Sequence, residues 1–373
     1  MLQNSNKKKK EDKKAMANFP PNRMSLSDPA DALLKAPETE PMLDEKRSPS
    51  TDRSDDGLFS HRFRYLILIL GCLCLTSICS NMITFNFTLI CMHKEIPMTG
   101  VEVVPGNVTS STKLVKYVPM FDQQEKSWLM WAVAGGSIVA TFPFNVAYAH
   151  YGARTVFFAA GMMSAIATLL VPLCIKFGLV YFIAARIVQG IAFGADFAAI
   201  GVVCSRWASL KQNGIFISIL TLFSSLSSAI TNPSAGALCE SSWGWPSVYY
   251  IHGVIGCILF SLWLIFYTDH PATHRNVSSV ELEKIHRNKT AAHIKMDSYI
   301  PYWAIISNPT VLVVWLNALA DIGSGIFLLT YTPTYINAVL HYNVGKTGAM
   351  GALLALSHIP FKLVTGYLSD KLK

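Results

Sequence analysis

Charge is scarce in this chain: Asp, Glu, Lys and Arg make up 14% of 373 residues, while 51% are hydrophobic. Long polar helix faces are missing with it, which excludes an ordinary soluble domain, because helices apolar all round need a cover that is not water. The eight cysteines (Cys72, Cys74, Cys79, Cys91, Cys174, Cys204, Cys239 and Cys257) form no CxxC pair and no metal-ligand spacing, so no zinc site is expected. HExxH, GxSxG and a paired His-Asp loop motif are absent, which removes the grounds for a membrane enzyme. The formal net charge of +8 comes from an N-terminal tail and one central loop, where basic residues bias membrane topology; neither a nucleic-acid partner nor a cofactor is expected. The first sixty residues hold no apolar core, so they do not read as a cleavable signal peptide.

What the chain does have is apolar length. Eight runs, at 66–90, 128–148, 155–175, 179–204, 214–237, 248–268, 310–332 and 347–368, match the ~20 residues a helix needs to cross ~30 Å of hydrocarbon. The expected fold class is an all-α membrane protein, with the lipid bilayer as its first partner. Residues 1–62 are Lys-, Asp-, Pro- and Ser-rich and read as a disordered cytosolic tail. Its run Lys7–Lys10 reads as a solvated charge cluster. Arg62 and Arg64 precede the first run, and Arg275, Lys284, Arg287, Lys289 and Lys295 crowd the loop after the sixth. Both belong on the cytosolic side by the positive-inside rule, and the even count of six spans between them agrees.

The loop 92–127 then faces the lumen or the outside, where Asn107-Val108-Thr109 is a glycosylation acceptor. The sequons at Asn86, Asn276 and Asn288 lie in a span or on the cytosolic side and read as chance. Most cysteines read as small packing residues; Cys91 and Cys239 sit near the non-cytosolic edge, where a disulfide is the alternative reading.

Six spans (63–268), a basic central loop (269–308) and the start of a second bundle (309–373) give the layout of a carrier built from two six-helix halves. Pro143-Phe-Asn145-Val-Ala-Tyr-Ala149-His150-Tyr-Gly152-Ala-Arg154 occupies the place of a loop signature, Gly-x-x-x-Asp-Arg-x-Gly-Arg/Lys, and Gly366-Tyr-Leu-Ser-Asp370-Lys371 reads as its second copy. Together they resemble the internal repeat of the major facilitator superfamily. Narrower resemblance comes from Arg186-Ile-Val-Gln189-Gly190-Ile-Ala-Phe193-Gly194, Ser205-Arg-Trp207-Ala208, Gly244-Trp245-Pro246-Ser247-Val248-Tyr249-Tyr250 and His270-Pro271-Ala-Thr-His274. These look like the anion/cation symporters of solute carrier family 17, over residues 65 to 370.

The resemblance implies a proton- or sodium-coupled carrier of a small anionic substrate, working by alternating access in a plasma or endolysosomal or vesicular membrane. It assigns gating to Gly152, Arg154, Gly366, Asp370 and Lys371, and the family's fourth-span arginine to Arg186. Other family positions depart: Phe193 stands where an acid is expected, Met82 and Asp321 near expected arginines, and Met130 near an expected histidine. A dicarboxylate or acidic-sugar site with two cations is therefore not supported. A shortened, non-transporting product or an incomplete gene model is the competing reading, since the chain stops two helices into the second half.

The membrane interior adds its own candidates. Asp196 and Asp321 are acids at depth, expensive in hydrocarbon unless protonated or paired, and are candidates for ion coupling. Gln189 shares a helical face with Asp196 at i+7, which suggests a polar stripe; with Arg186 and Asn81 it is taken as substrate-binding. Asn317, Asp321 and Ser324 share a face flanked by Gly323 and Gly325, suited to a cation or to close packing. Gly190 and Gly194 read as a packing seam, and Lys362 as a cation reaching for the cytosolic surface.

Overall fold

The computed structural model describes residues 62–98, 114–287, 289 and 302–372. The tail, the Asn107 and Asn288 sequons and most of the second half of the central loop lie outside them. Among the described residues, seven helices are long and apolar enough to cross a membrane, and one of them, Gln123–Phe177, counts twice. Gly152 interrupts it with φ 75° and ψ 170°, a left-handed conformation that glycine adopts at no steric cost. The eight expected spans are therefore present: Phe63–Thr88, 123–151, 153–177, 179–207, 210–240, Pro246–Phe266, Pro309–Ala338 and Val344–Lys371. The fold is an all-α membrane bundle, a six-helix half followed by the first two helices of a second.

Two spans are not continuous. The fourth is Leu179–Phe193 followed by Asp196–Trp207, and the fifth is Asn213–Thr221 followed by Phe223–Glu240. Hydropathy runs through both breaks, so apolar length alone does not reveal them.

The two ends of the bundle differ in chemistry. At one, the basic end, lie Arg64, Lys211, Lys284 and Lys371. At the other, the disulfide end, Cys91 after span one is bonded to Cys239 at the end of span five, with Cα atoms 6.1 Å apart. The packing role expected of those two cysteines is thus corrected, while the other six are free. Beyond Cys91 the chain forms a two-stranded antiparallel ladder, β1 (His93–Met98) with β2 (Leu114–Pro119), pairing His93 with Pro119 and Met98 with Leu114. Proline at 97 and 119 is tolerated because a two-strand ladder consists only of edges.

Span one is buried along almost its whole length and forms the axis of the first half. Its Ile67, Cys74 and Ile78 pack into a core with Phe157, Phe216, Phe260 and Trp263, where Phe157 meets Phe260 and Trp263 edge-on at 5.2 and 5.1 Å. A second cluster toward the disulfide end joins Phe85, Leu129, Phe182 and Tyr249. Outward, Ile138, Phe142, Val180, Ile258 and Ile265 are exposed, the inverted pattern that a hydrocarbon solvent favours. The expected seam holds: a side chain at Gly190 would strike the backbone of Val133, and one at Gly136 the backbone of Ile187, so spans two and four approach through small residues.

Span eight lies along span five. Side chains added at Gly348 or Gly351 would collide with Asn232, and one at Gly366 with Ser218. Span seven is exposed along nearly all its length and touches span one through Asn86, whose Nδ2 donates to Thr330 Oγ1 at 3.4 Å.

Candidate functional site

A buried cation organises the first half's interior. Arg186 is 2% exposed, and a guanidinium at membrane depth costs at least ~2.5 kcal/mol on insertion scales, so its donors need partners. Nε donates to Leu129 O at 3.4 Å; Nη1 donates to Met82 O at 2.9 Å and to Gln189 Oε1 at 2.8 Å. Its Cζ lies 4.8 Å from the centre of the Phe85 ring, a cation–π contact. Nη2 has no hydrogen bond to any described residue.

From Arg186 a polar chain runs across three spans. Gln189 Nε2 donates to Thr168 Oγ1 at 2.8 Å, Thr168 Oγ1 donates to Ser164 O at 2.8 Å, and Asn81 Nδ2 donates to Ser164 Oγ at 3.1 Å. Arg186, Gln189 and Asn81 thus meet in one network, joined by two span-three hydroxyls that sequence reasoning passed over. The signal was available, since Ser164 and Thr168 stand at i, i+4 in an otherwise apolar run. Met82 occupies the place expected for a family arginine and contributes only its carbonyl.

Asp196 lies elsewhere. It opens the helix Asp196–Trp207 just past the break at Gly194, is fully buried, and neither carboxylate oxygen has a hydrogen-bond partner among the described residues. Cys74, Cys79 and Tyr148 lie within its electrostatic range, and the Tyr148 hydroxyl is also buried without a partner. A bare ionised carboxylate so placed is costly unless a proton, a cation or the helix N-terminus offsets it. The Gln189–Asp196 stripe expected from an unbroken helix is not formed: Gln189 turns to Arg186 and Thr168, and the helix breaks between the two.

Asp321 is exposed on span seven, with Ser324 Oγ donating to its carbonyl at 2.9 Å. Lys362 of span eight lies within its electrostatic range and donates to Thr221 O at 3.2 Å. That carbonyl sits at the break in span five, so Lys362 points across to the first half and not out to the surface as its position suggested.

At the basic end, three spans begin and each is met by a carboxylate from elsewhere. Glu281 accepts from Phe63 N (3.2 Å) and Arg64 N (2.8 Å) of span one. Asp269, just after span six, accepts from Ala153 N at 2.7 Å at the start of the third span. Asp370 accepts from Gly214 N (2.7 Å) and Ile215 N (2.8 Å) of span five. Unpaired N–H groups and the dipole at a helix start favour an anion. Of the residues expected to gate, Gly152 sits against Asp269 and Gly366 against Ser218. Arg154 donates through Nε and Nη2 to Leu264 O at 3.1 and 2.9 Å, while Lys371 is exposed beside Asp370. Asp269 was missed, because no motif marks it, and Glu281 belongs to a stretch, Glu281 to Ile285, that carries the family resemblance without revealing that it caps span one.

These features define a multi-pass helical membrane protein whose first half is closed by acid caps and whose second half grips it through span eight. The chain belongs to the Major Facilitator Superfamily, whose family model matches residues 69–373. Its curated relatives lie among the anion/cation symporters. It is 28% identical over 318 residues to "Sodium-dependent phosphate transport protein 1" of Rattus norvegicus, covering 83% of this chain and 66% of that protein. It is 25% identical over 313 residues to "Sialin" of Ovis aries, covering 77% and 61%. It is 24% identical over 339 residues to "Probable small intestine urate exporter" of Mus musculus, covering 86% and 68%. The chain thus spans about two thirds of the length of these relatives.

Proposed function

We propose that this chain belongs to a secondary transporter of small anions that works by alternating access, with its basic end in the cytosol. The observation that carries the reading is Arg186: a buried cation whose Nε and Nη1 are fixed by two carbonyls and Gln189, leaving the two N–H groups of Nη2 unspent. Such a group is oriented before a ligand arrives and presents its remaining donors in one plane, which suits an oxyanion. Names among the relatives include a sodium-dependent phosphate transport protein, sialin and a probable urate exporter, and a network holding one arginine, Arg186, fits the simpler anions.

Coupling to a proton or to sodium falls to Asp196, where neither oxygen has a competing partner; Asp321, close to Lys362, is the second candidate. Asp370 on the start of span five forms the cytosolic latch between halves. On this topology the disulfide end is the non-cytosolic face, so glycosylation at Asn107 is expected on the loop that leaves it.

Flux of labelled phosphate and urate into proteoliposomes, under imposed proton and sodium gradients, tests this reading. Arg186→Ala is expected to lower saturable uptake at least about tenfold, the cost of losing a charge-assisted pair. Arg186→Lys retains the charge without the planar fork and should recover only part. Uptake that is indifferent to both substitutions in correctly folded protein would refute the assignment.

A further inference from the structure

A second cationic site lies at the basic end, away from the Arg186 network. A cavity of about 840 Å³ opens between the start of span one, the loop before span five, the helix Ser279–His286 and the end of span eight. Five cations line it: Arg64, Lys211, Lys284, Arg287 and Lys371. Its sole acid among the described residues, Asp370, has both oxygens engaged with span-five N–H groups. The side chains of Lys211, Lys284, Arg287 and Lys371 make no hydrogen bond or ion pair with a described residue.

Arg64 is the firmest sign that the cavity is built to bind. It is 6% exposed, its Nη2 donates to Tyr65 Oη at 3.2 Å, and its Nε and Nη1 are buried with no partner among the described residues. A buried guanidinium lacking acceptors is expensive unless an anion supplies them. Tyr65, in turn held by Gln212 Oε1 at 3.3 Å, also borders a neighbouring cavity of about 490 Å³ lined by Arg62, Leu66 and Ile69. Ile69 is 58% exposed on the outer face of span one. Tyr65 therefore stands between a polycationic chamber, much larger than a single phosphate needs, and a groove along Leu66 and Ile69 on the outer face of span one.

We propose that this chamber binds the multiply phosphorylated headgroup of an anionic phospholipid whose acyl chain runs along Leu66 and Ile69. Basic pockets between helices at the headgroup level recognise such lipids by the same charge complementarity. The ligand joins Arg64 and Lys211 of the first half, Lys284 and Arg287 of the central loop, and Lys371 of the second half. Bound there, it strengthens the adjoining Asp370 latch. The site needs neither the transport reading nor Arg186.

The test uses the purified full chain in detergent and four ligands: dioctanoyl phosphatidylinositol bisphosphate, dioctanoyl phosphatidylcholine, the free inositol trisphosphate headgroup and inorganic phosphate. The charged lipid is expected to bind saturably and more tightly than either free phosphate compound, and phosphatidylcholine not at all. Lys211→Gln with Lys284→Gln, both at exposed positions, should together weaken that binding by about thirtyfold, following a contribution near 1 kcal/mol per cation. Arg186→Ala should leave it unchanged. Equal binding of the free headgroup overturns the lipid assignment in favour of a soluble phosphate compound. Binding insensitive to the double substitution, or no preference over phosphatidylcholine, overturns the site.

Discussion

The two copies of the loop signature use one device to opposite ends. In the first, Asp269 caps the start of span three beside Gly152, so the acid just after span six and the N–H group it accepts from lie on the same side of the boundary between halves. In the second, Asp370 caps the start of span five beside Gly366, so the acid and the N–H groups belong to different halves. A carboxylate on a helix start is worth a similar amount in either place, about 0.5–2 kcal/mol. What differs is what moves when the bond breaks. On the alternating-access reading proposed above, the first copy welds elements that move together, and the second joins elements that rocking would part.

The sharpest way to break the first copy is Gly152→Val. The residue has φ 75°, where a β-branched side chain is strained, and its new Cβ would overlap the Asp269 carboxylate. Strain and overpacking together predict a loss of roughly 2–5 kcal/mol, seen as low yield of monodisperse protein and a depressed melting temperature. A variant melting like the parent would show that the left-handed turn is not required.

Next in size is the contrast between Asp269→Asn and Asp370→Asn. Removing the first charge should destabilise by about 1 kcal/mol and leave the access of reagents to the interior unaltered. Removing the second should cost a similar amount in stability and, in addition, open the seam between spans five and eight. Maleimide labelling of Ser218→Cys, the position Gly366 packs against, reads the difference: faster with Asp370→Asn, unchanged with Asp269→Asn. If both substitutions speed labelling equally, the weld and the latch are the same thing.

Asp370 was legible in the sequence because its motif places glycine and acid four residues apart next to a span. Asp269 was not, since the first copy has Ala149 where the motif carries its acid, and the cap arrives from 116 residues away. The number and order of the spans could be read because twenty apolar residues leave a helix little choice in lipid. The breaks at Gly194 and Leu222 could not, as the sequence stays apolar through them and only tertiary contacts decide where backbone bonds lapse. Arg186, Gln189 and Asn81 were found as depth-placed polar groups, but the hydroxyls linking them look like ordinary helix residues until span three is packed in place. The expected partnership of Gln189 with Asp196 failed because it assumed that span four is an unbroken helix, whereas Leu179–Phe193 and Asp196–Trp207 are separate helices.

The smallest expected effect tests whether the central loop is as firmly fixed as the weld. Lys289 donates from Nζ to Ser205 O at 2.8 Å, tying the loop to the end of span four, and burial lowers its pKa from 10.5 to about 8. Below pH 8 the lysine is charged both folded and unfolded, so the docked loop bears the full cost of burying that charge. Between pH 8 and 10.5 the folded form releases its proton before the unfolded form does, and stability contributed at this position rises with pH. Lys289→Met removes the titration. The melting temperature of the parent minus that of Lys289→Met should therefore climb between pH 7.5 and 10, and a difference that stays flat or falls would mean the ammonium is solvated and the loop undocked.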